Sequence, residues 1–182
     1  IPKVTEAGSI IPTSSTTSQL ALGDALAIAT MRQKKFNNKD FKKIHPAGSL
    51  GAQVKTVEDI MLKDKAIPFV NENLKIKDAL KVLNLKKLGF LLVRDKKKIT
   101  RGIITDGELR RFTQKKQNLH NFLVKQIMTK NPIGIDKNEL AAKALSLMNN
   151  KKITSLCVYN KKNKLKTIGV LHIHNILQSN IS

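Results

Sequence analysis

The chain has 182 residues, 41% of them hydrophobic, and carries 34 Lys and Arg against 13 Asp and Glu, for a formal net charge of +21. That is apolar material for one ordinary domain or two to three small ones; no run approaches the roughly 18 to 20 apolar residues of a membrane span, and residues 1–8 lack the charged start and apolar core of a secretory signal. The reading is a soluble, cytoplasmic chain with no membrane partner. The positive charge is nearly all lysine, scattered as Lys34-Lys35, Lys42-Lys43, residues 96–98, Lys115-Lys116, Lys151-Lys152 and Lys161-Lys162. With 6 Phe, 1 Tyr and no Trp there is no aromatic interleaving to stack bases, so no specific nucleic-acid binding is expected. The one cysteine, Cys157, sits in the apolar run Ser155-Leu156-Cys157-Val158 and reads as a buried small hydrophobe in a reducing compartment.

In chain order, residues 1–4 offer one short strand, and the hydroxyl-rich turn Pro12-Thr13-Ser14-Ser15-Thr16-Thr17 supplies natural N-caps for a helix. Residues 19–29 then form a helix that is apolar on nearly every side. Such a helix has to be enclosed by protein, and the short strand before it is too little to do so. A larger preceding domain or a partner chain is therefore expected to cover it. Asp24 within it reads as a hydrogen-bonded structural acid.

From residue 57 the sequence repeats itself. Val57-Glu58-Asp59-Ile60-Met61 returns as Val124-Lys125-Gln126-Ile127-Met128, an offset of 67 residues. A short β-prone segment follows each, 67–70 and 133–135, and then a helix whose apolar residues obey the i, i+3, i+4, i+7 rule: Ile76, Ala79, Leu80, Leu83 in the first copy and Ala141, Ala144, Leu145, Met148 in the second. Aliphatic runs at 90–93 and 154–159 come next, with lysine-rich turns at 95–98 and 160–164. Second strands end in Gly102-Ile103-Ile104-Thr105 and Gly169-Val170-Leu171-His172, and closing helices run over 106–113 and 173–178. Strand, helix, strand, strand, helix, twice over, is an α+β duplication.

The Ile-Met openings, the run Gly102-Ile103-Ile104-Thr105-Asp106-Gly107-Glu108-Leu109-Arg110-Arg111 and the Gly-Val-Leu-His at 169–172 resemble a tandem CBS pair. Upstream, Thr5-Glu6-Ala7-Gly8, residues 12–17, Gly23-Asp24-Ala25-Leu26-Ala27 and the stretch 40–51 around His45-Pro46-Ala47-Gly48 occur in the order seen at the end of the sugar isomerase (SIS) domain of the arabinose 5-phosphate isomerase family. The resemblance implies an α+β chain in which 1–54 are the C-terminal helical remnant of an α/β SIS domain, 55–120 a first CBS domain and 121–182 a second. It also implies aldose–ketose isomerisation of D-arabinose 5-phosphate and D-ribulose 5-phosphate, feeding synthesis of the lipopolysaccharide sugar Kdo, with close paralogues in capsule or sugar-alcohol pathways. That reaction moves a proton between C2 and C1 and opens the sugar ring. Glu6 matches a family active-site glutamate and His45 the histidine of a His-Pro-Gly-Gly motif.

Ala47 stands where a glycine of that motif's Gly-Gly pair is usual, and Ala52-Gln53 replaces a basic pair common in the family. The family's upstream lysine, glutamate and phosphate loop are not in the sequence, so the chain alone is expected to be inactive. The alternative from another class is a non-catalytic ligand-sensing or dimerisation module. No cofactor is expected, and His45, His120, His172 and His174 lack the spacing of a metal site. In the family's CBS cleft, a hydroxyl on the last strand and an acid three residues on hold phosphate and ribose. Here those positions are Thr105 and Glu108 in one copy and His172 and Asn175 in the other, so weak binding of plain AMP or ATP is expected. Arg110, Arg111 and His174 nearby suit an anionic nucleotide or nucleotide-sugar, while packing alone is the other reading. CBS pairs associate face to face, so the chain is expected to form a homo-oligomer, at least a dimer.

Overall fold

The structure is a computed structural model that describes Glu6 and residues 11–45, 48–115 and 121–181. The strand expected at 1–4, Thr5, Ala7, Gly8, Pro46, Ala47 and His120 lie outside the described residues. The chain divides into two compact units, residues 1–46 and 47–182.

The first unit contains α1 (Thr13–Gln33) and α2 (Asn38–Ile44). α1 starts earlier than the apolar run suggests, so its hydroxyls fall inside the first turn instead of ahead of it. Thr16 Oγ1 donates to the Pro12 carbonyl at 2.7 Å and Thr17 Oγ1 to the Thr13 carbonyl at 2.9 Å. These are backward bonds onto the helix's own carbonyls, which exposed Ser and Thr make when they sit within a helix. No residue of α1 is buried, and Leu20 and Leu26 are 68% and 60% exposed. At the N-terminus of α2, Asp40 Oδ2 accepts from the Asn37 amide at 3.2 Å.

The second unit opens with α3 (Gly48–Gln53) and α4 (Val57–Ile60). The first copy then gives β1 (Leu62–Lys63), β2 (Phe69–Asn71), α5 (Ile76–Lys86), β3 (Phe90–Arg94), β4 (Thr100–Thr105) and α6 (Asp106–Lys115). The second gives β5 (Thr129–Lys130), β6 (Gly134–Asp136), α7 (Ala141–Lys151), β7 (Ser155–Asn160), β8 (Asn163–His172) and α8 (Ile173–Gln178). Two four-stranded sheets result, in the orders β1-β8-β7-β6 and β2-β3-β4-β5. In each, the first long strand pairs in parallel with the strand before its helix and antiparallel with the strand after it.

The two leading strands are exchanged. β1 pairs with β8, Leu62 opposite Val170, and β5 pairs with β4, Thr129 opposite Ile103. The same trade extends upstream: Val57 N–H bonds the Glu139 carbonyl ahead of α7, and Ile76 N–H, at the start of α5, bonds the Phe122 carbonyl. Val57 accordingly belongs to the core beneath α7 and α8, and Val124, Ile127 and Met128 to the core beneath α5 and α6. Two glycines make room for this. A Cβ at Gly102 would meet the Thr129 carbonyl at 2.8 Å and Met128 Sδ at 2.7 Å, and one at Gly169 would collide with Met61 and meet the Leu62 carbonyl at 3.0 Å.

β3 and β7 are buried on both faces, which is why they read as continuous apolar runs without alternation. Leu91 and Val93 face the first helical core, and Leu156 and Val158 the second. Phe90, Leu92, Cys157 and Val170 meet between the sheets in a third cluster drawn from both copies. Beside it, Thr100 and Thr167, equivalent residues of the two copies, hydrogen-bond through their hydroxyls at 2.8 Å.

Candidate functional site

Glu6 turns its carboxylate onto the first turn of α1. One oxygen accepts from the Ser14 amide at 2.8 Å and the other from the Ser15 amide at 2.9 Å and from the Ser15 hydroxyl. The helix is therefore capped by an acid eight residues upstream, which satisfies two of the four N–H groups that every helix start leaves open and places negative charge at its positive end. Neither α1 nor the hydroxyl run signals this in sequence, because the partner is not local. His45 directly follows α2; its ring stacks on Phe41 at 4.4 Å, and its Nδ1 is buried without a hydrogen-bond partner.

A cleft of about 430 Å³ lies where the two copies meet in the second unit. From the first copy it takes Thr105 at the end of β4 and Glu108 and Arg111 in the first turns of α6. From the second it takes Thr129 of β5, Asn131 and, beyond α7, Lys152 and Ser155. Ile103, Ile133 and Ile153 provide its apolar lining. The exchange of β5 is what brings Thr129 here, so the site exists only because the copies trade strands.

Glu108 is the third helical residue of α6, and it reaches back to its N-cap as in a capping box. Its Oε2 accepts from the Thr105 amide at 2.8 Å and from the Thr105 hydroxyl; its Oε1 accepts from Arg111 at 2.6 Å and from the Thr129 hydroxyl at 3.1 Å. Burial works against ionisation here, but the bonds from Thr105 and Thr129 and the Arg111 charge outweigh it and hold the carboxyl below its ordinary range. Four donors already occupy the roughly four lone-pair positions of the carboxylate. A ligand hydroxyl has to displace one of them.

The corresponding corner of the second copy keeps the backbone geometry and changes the chemistry. The His172 amide donates to Asn175 Oδ1 at 3.1 Å, as Thr105 does to Glu108, and His172 Nδ1 accepts from the His174 amide at 3.3 Å. The His172 and His174 rings are 4.9 Å apart, and Phe90 lies parallel to His172 at 6.4 Å. Burial and then the neighbouring His174 push His172 below the usual histidine range. Thus Thr105, Glu108 and Arg111 converge on the cleft, while His172, His174 and Asn175 form a separate cluster at the start of α8. Arg110 is exposed on α6 and does not line the cleft. Thr129, Asn131 and Lys152 escaped sequence reasoning because they come from the other copy, with no local motif.

Among the described residues no group of His, Cys, Asp and Glu could hold a metal ion, and no helix is long and apolar enough to cross a membrane. The chain is 36% identical over 173 residues to arabinose 5-phosphate isomerase KdsD of Yersinia pestis, covering 94% of this chain and 52% of that protein. It is 39% identical over 170 residues to KdsD of Francisella tularensis, covering 93% and 51%. It therefore spans about half the length of the curated relatives it matches. Among solved structures, CBSX2 in complex with AMP superposes with a TM-score of 0.61 at 26% identity, over 69% of this chain and 95% of that one. Residues 57–115 and 124–181 each match the CBS domain, the two copies whose exchanged strands build the cleft, and the chain belongs to the CBS domain family.

Proposed function

We propose that this chain is the regulatory and assembly portion of a sugar-phosphate aldose–ketose isomerase that interconverts D-arabinose 5-phosphate and D-ribulose 5-phosphate for Kdo and lipopolysaccharide synthesis in the cytoplasm. The observation that carries the reading is the identity of 36–39% to isomerases over 93–94% of the chain, which runs through the residues ahead of the CBS pair as well as the pair itself. On this reading residues 1–54 are the end of the SIS domain, and the exposed Leu20 and Leu26 of α1 are covered by the rest of that domain. Residues 55–120 and 121–182 are the two CBS domains, and the protein works as a homo-oligomer.

Glu6 and His45 are then the two groups this chain contributes to catalysis, sharing proton transfer between C2 and C1 and ring opening. The bonds from Ser14 and Ser15 fix the Glu6 carboxylate and leave Oε2 a lone pair for a proton, and Nδ1 of His45, which has no hydrogen-bond partner, can accept from or donate to a substrate hydroxyl. The test is an assay of ketose formation from D-arabinose 5-phosphate. The full-length protein should be active and this chain blank. Glu6→Gln and His45→Asn in the full-length protein should each lower kcat by about 10²-fold or more. Full-length protein inactive on every pentose and hexose phosphate would overturn the reading.

The cleft supports a second reading, in which the chain senses a ligand and takes no part in chemistry. Arg111 and Lys152 at its rim suit a phosphate, and the isoleucines suit a base. With Glu108 saturated, plain AMP and ATP bind weakly and a nucleotide-sugar such as CMP-Kdo binds better, through Arg111, Lys152 and Thr105. Calorimetric titration with all three decides. Tight AMP binding refutes the reading of Glu108, and silence for all three assigns the cleft to packing.

A further inference from the structure

The two copies differ at a second place, on the outer edge of the sheets. In the first copy Phe69 of β2 is opposite Leu92, two residues before the pair Asn71 and Arg94, and the Arg94 guanidinium lies 4.5 Å from the Phe69 ring centroid. The register of β6 on β7 makes Gly134 the counterpart of Phe69 and Tyr159 the counterpart of Arg94. The bulky ring of the edge strand is thus missing from the second copy. Tyr159 has come down in its place, so close that a Cβ on Gly134 would stand 3.0 Å from its ring carbons and from the Cys157 carbonyl. Between this edge and α7 lies a cavity of about 490 Å³, with Gly134 and Tyr159 in its lining.

Its lining falls into three kinds. Tyr159 presents an aromatic surface. Asp136, Glu139, Ser146 and Asn150 offer acceptors and hydroxyl or amide donors. Lys143, Lys161 and Lys164 bring positive charge. Lys143 is engaged by Glu139 at 2.9 Å, and Asp136 is held as a carboxylate, first by the Asn138 amide and also by Lys161. No ion pair engages the Lys164 ammonium among the described residues, which leaves it free for a ligand. An aromatic face against a ring of C–H bonds, carboxylate and amide groups for hydroxyls, and a lysine for phosphate together fit one class of molecule.

We propose that the cavity between α7 and the β6–β7 edge binds a phosphorylated sugar or polyol, with the phosphate at Lys161 and Lys164 and the hydroxyls at Asp136, Ser146 and Asn150. It is a different site from the cleft of Thr105 and Glu108, and it does not depend on the chain belonging to an isomerase. The lysine turn of the first copy, residues 96–98, has comparable charge without a Gly134 counterpart, and serves as an internal control.

The experiment is a titration of this chain, 15N-labelled and followed by amide chemical shifts at constant ionic strength. The probes are D-ribose 5-phosphate, D-ribose and inorganic phosphate. Saturable shifts confined to residues 134–136, 143–150 and 159–164 are expected with D-ribose 5-phosphate. Ribose and phosphate alone should bind at least about ten-fold more weakly, since each uses half of the site. Lys164→Glu, at an exposed position, should weaken binding at least about ten-fold with the spectrum otherwise unchanged. Equal shifts at residues 96–98, equal affinity for inorganic phosphate, no response to any probe, or full binding by Lys164→Glu would overturn the proposal.

Discussion

Gly102 is the position where one methyl group tests the strand exchange. In Gly102→Ala the new Cβ would lie 2.8 Å from the Thr129 carbonyl and within 2.9 Å of Met128 Sδ and Cγ. Met128 is flexible and can turn away. The carbonyl cannot, because it belongs to β5, pinned in register by Gly102 opposite Lys130 and Ile103 opposite Thr129. Relieving the contact requires β5 to retreat by roughly half an ångström, and overpacking of this kind costs about 1–3 kcal/mol. With a urea dependence of about 1–3 kcal/mol per molar, the unfolding midpoint falls by about 1 M. Combining the change with Met128→Ala separates the two contacts. Met128→Ala alone is costly, but in its background Gly102→Ala should still cost about 1 kcal/mol, the share of the carbonyl. The retreat also draws Thr129 away from Glu108 and so frees one acceptor position on its carboxylate. A Gly102→Ala midpoint within about 0.5 kcal/mol of wild type, with m unchanged, would refute the reasoning.

Three further outcomes follow from the same structure. His172 is held neutral in the fold and freely protonated in the unfolded chain, so its contribution is complete above the unfolded pKa of about 6.5 and is lost as pH falls through its depressed folded value. Melting temperature should drop between pH 7 and 5, and His172→Asn, which keeps a capping acceptor without titrating, should flatten that drop. Thr100→Ala removes the hydroxyl that bonds Thr167 and accepts from its amide, and should cost about 1–2 kcal/mol in urea unfolding, with Thr100→Ser recovering most of it. Cys157 is buried, which pushes its thiol up to about 11, so a colourless thiol reagent titration is expected at pH 8 until denaturant is added; immediate labelling would place the residue elsewhere.

Those elements whose stabilisation is regular along the chain were the ones legible in sequence. The periodic apolar residues Ile76, Ala79 and Leu83, and Ala141, Ala144 and Met148, are buried in α5 and α7 as their spacing predicts, and α8 occupies the predicted 173–178. The expected strands at 67–70 and 133–135 appear as β2 and β6, shifted by one or two residues, because three-residue edge strands have too little period to fix their ends. β1 and β5 carry no readable pattern at two residues each; they are held by pairing partners distant in sequence, β8 for β1 and β4 for β5, and by glycines whose role is visible only once Met61 and Met128 are seen against them. The cleft was legible to the same degree: Thr105 and Glu108 share a turn, and Thr129 does not. For α1 the hydroxyl run suggested a local cap, whereas the bonds come from Glu6, because a carboxylate from a preceding segment can accept two amides at once.

The strand exchange also sets an order of events during synthesis. The first sheet lacks its fourth strand until Thr129–Lys130 has left the ribosome, and β1, made early, waits for β8 near the other end of the chain. Neither copy can close its sheet while the other is unmade, so the nascent first copy carries an open edge along β4 for as long as translation needs to reach the second. Long-range pairing of this kind slows folding relative to a chain of the same size built from hairpins. A separately expressed half would meet the same vacancy permanently, and the nearest strand of suitable sequence to fill it would come from a second molecule of itself.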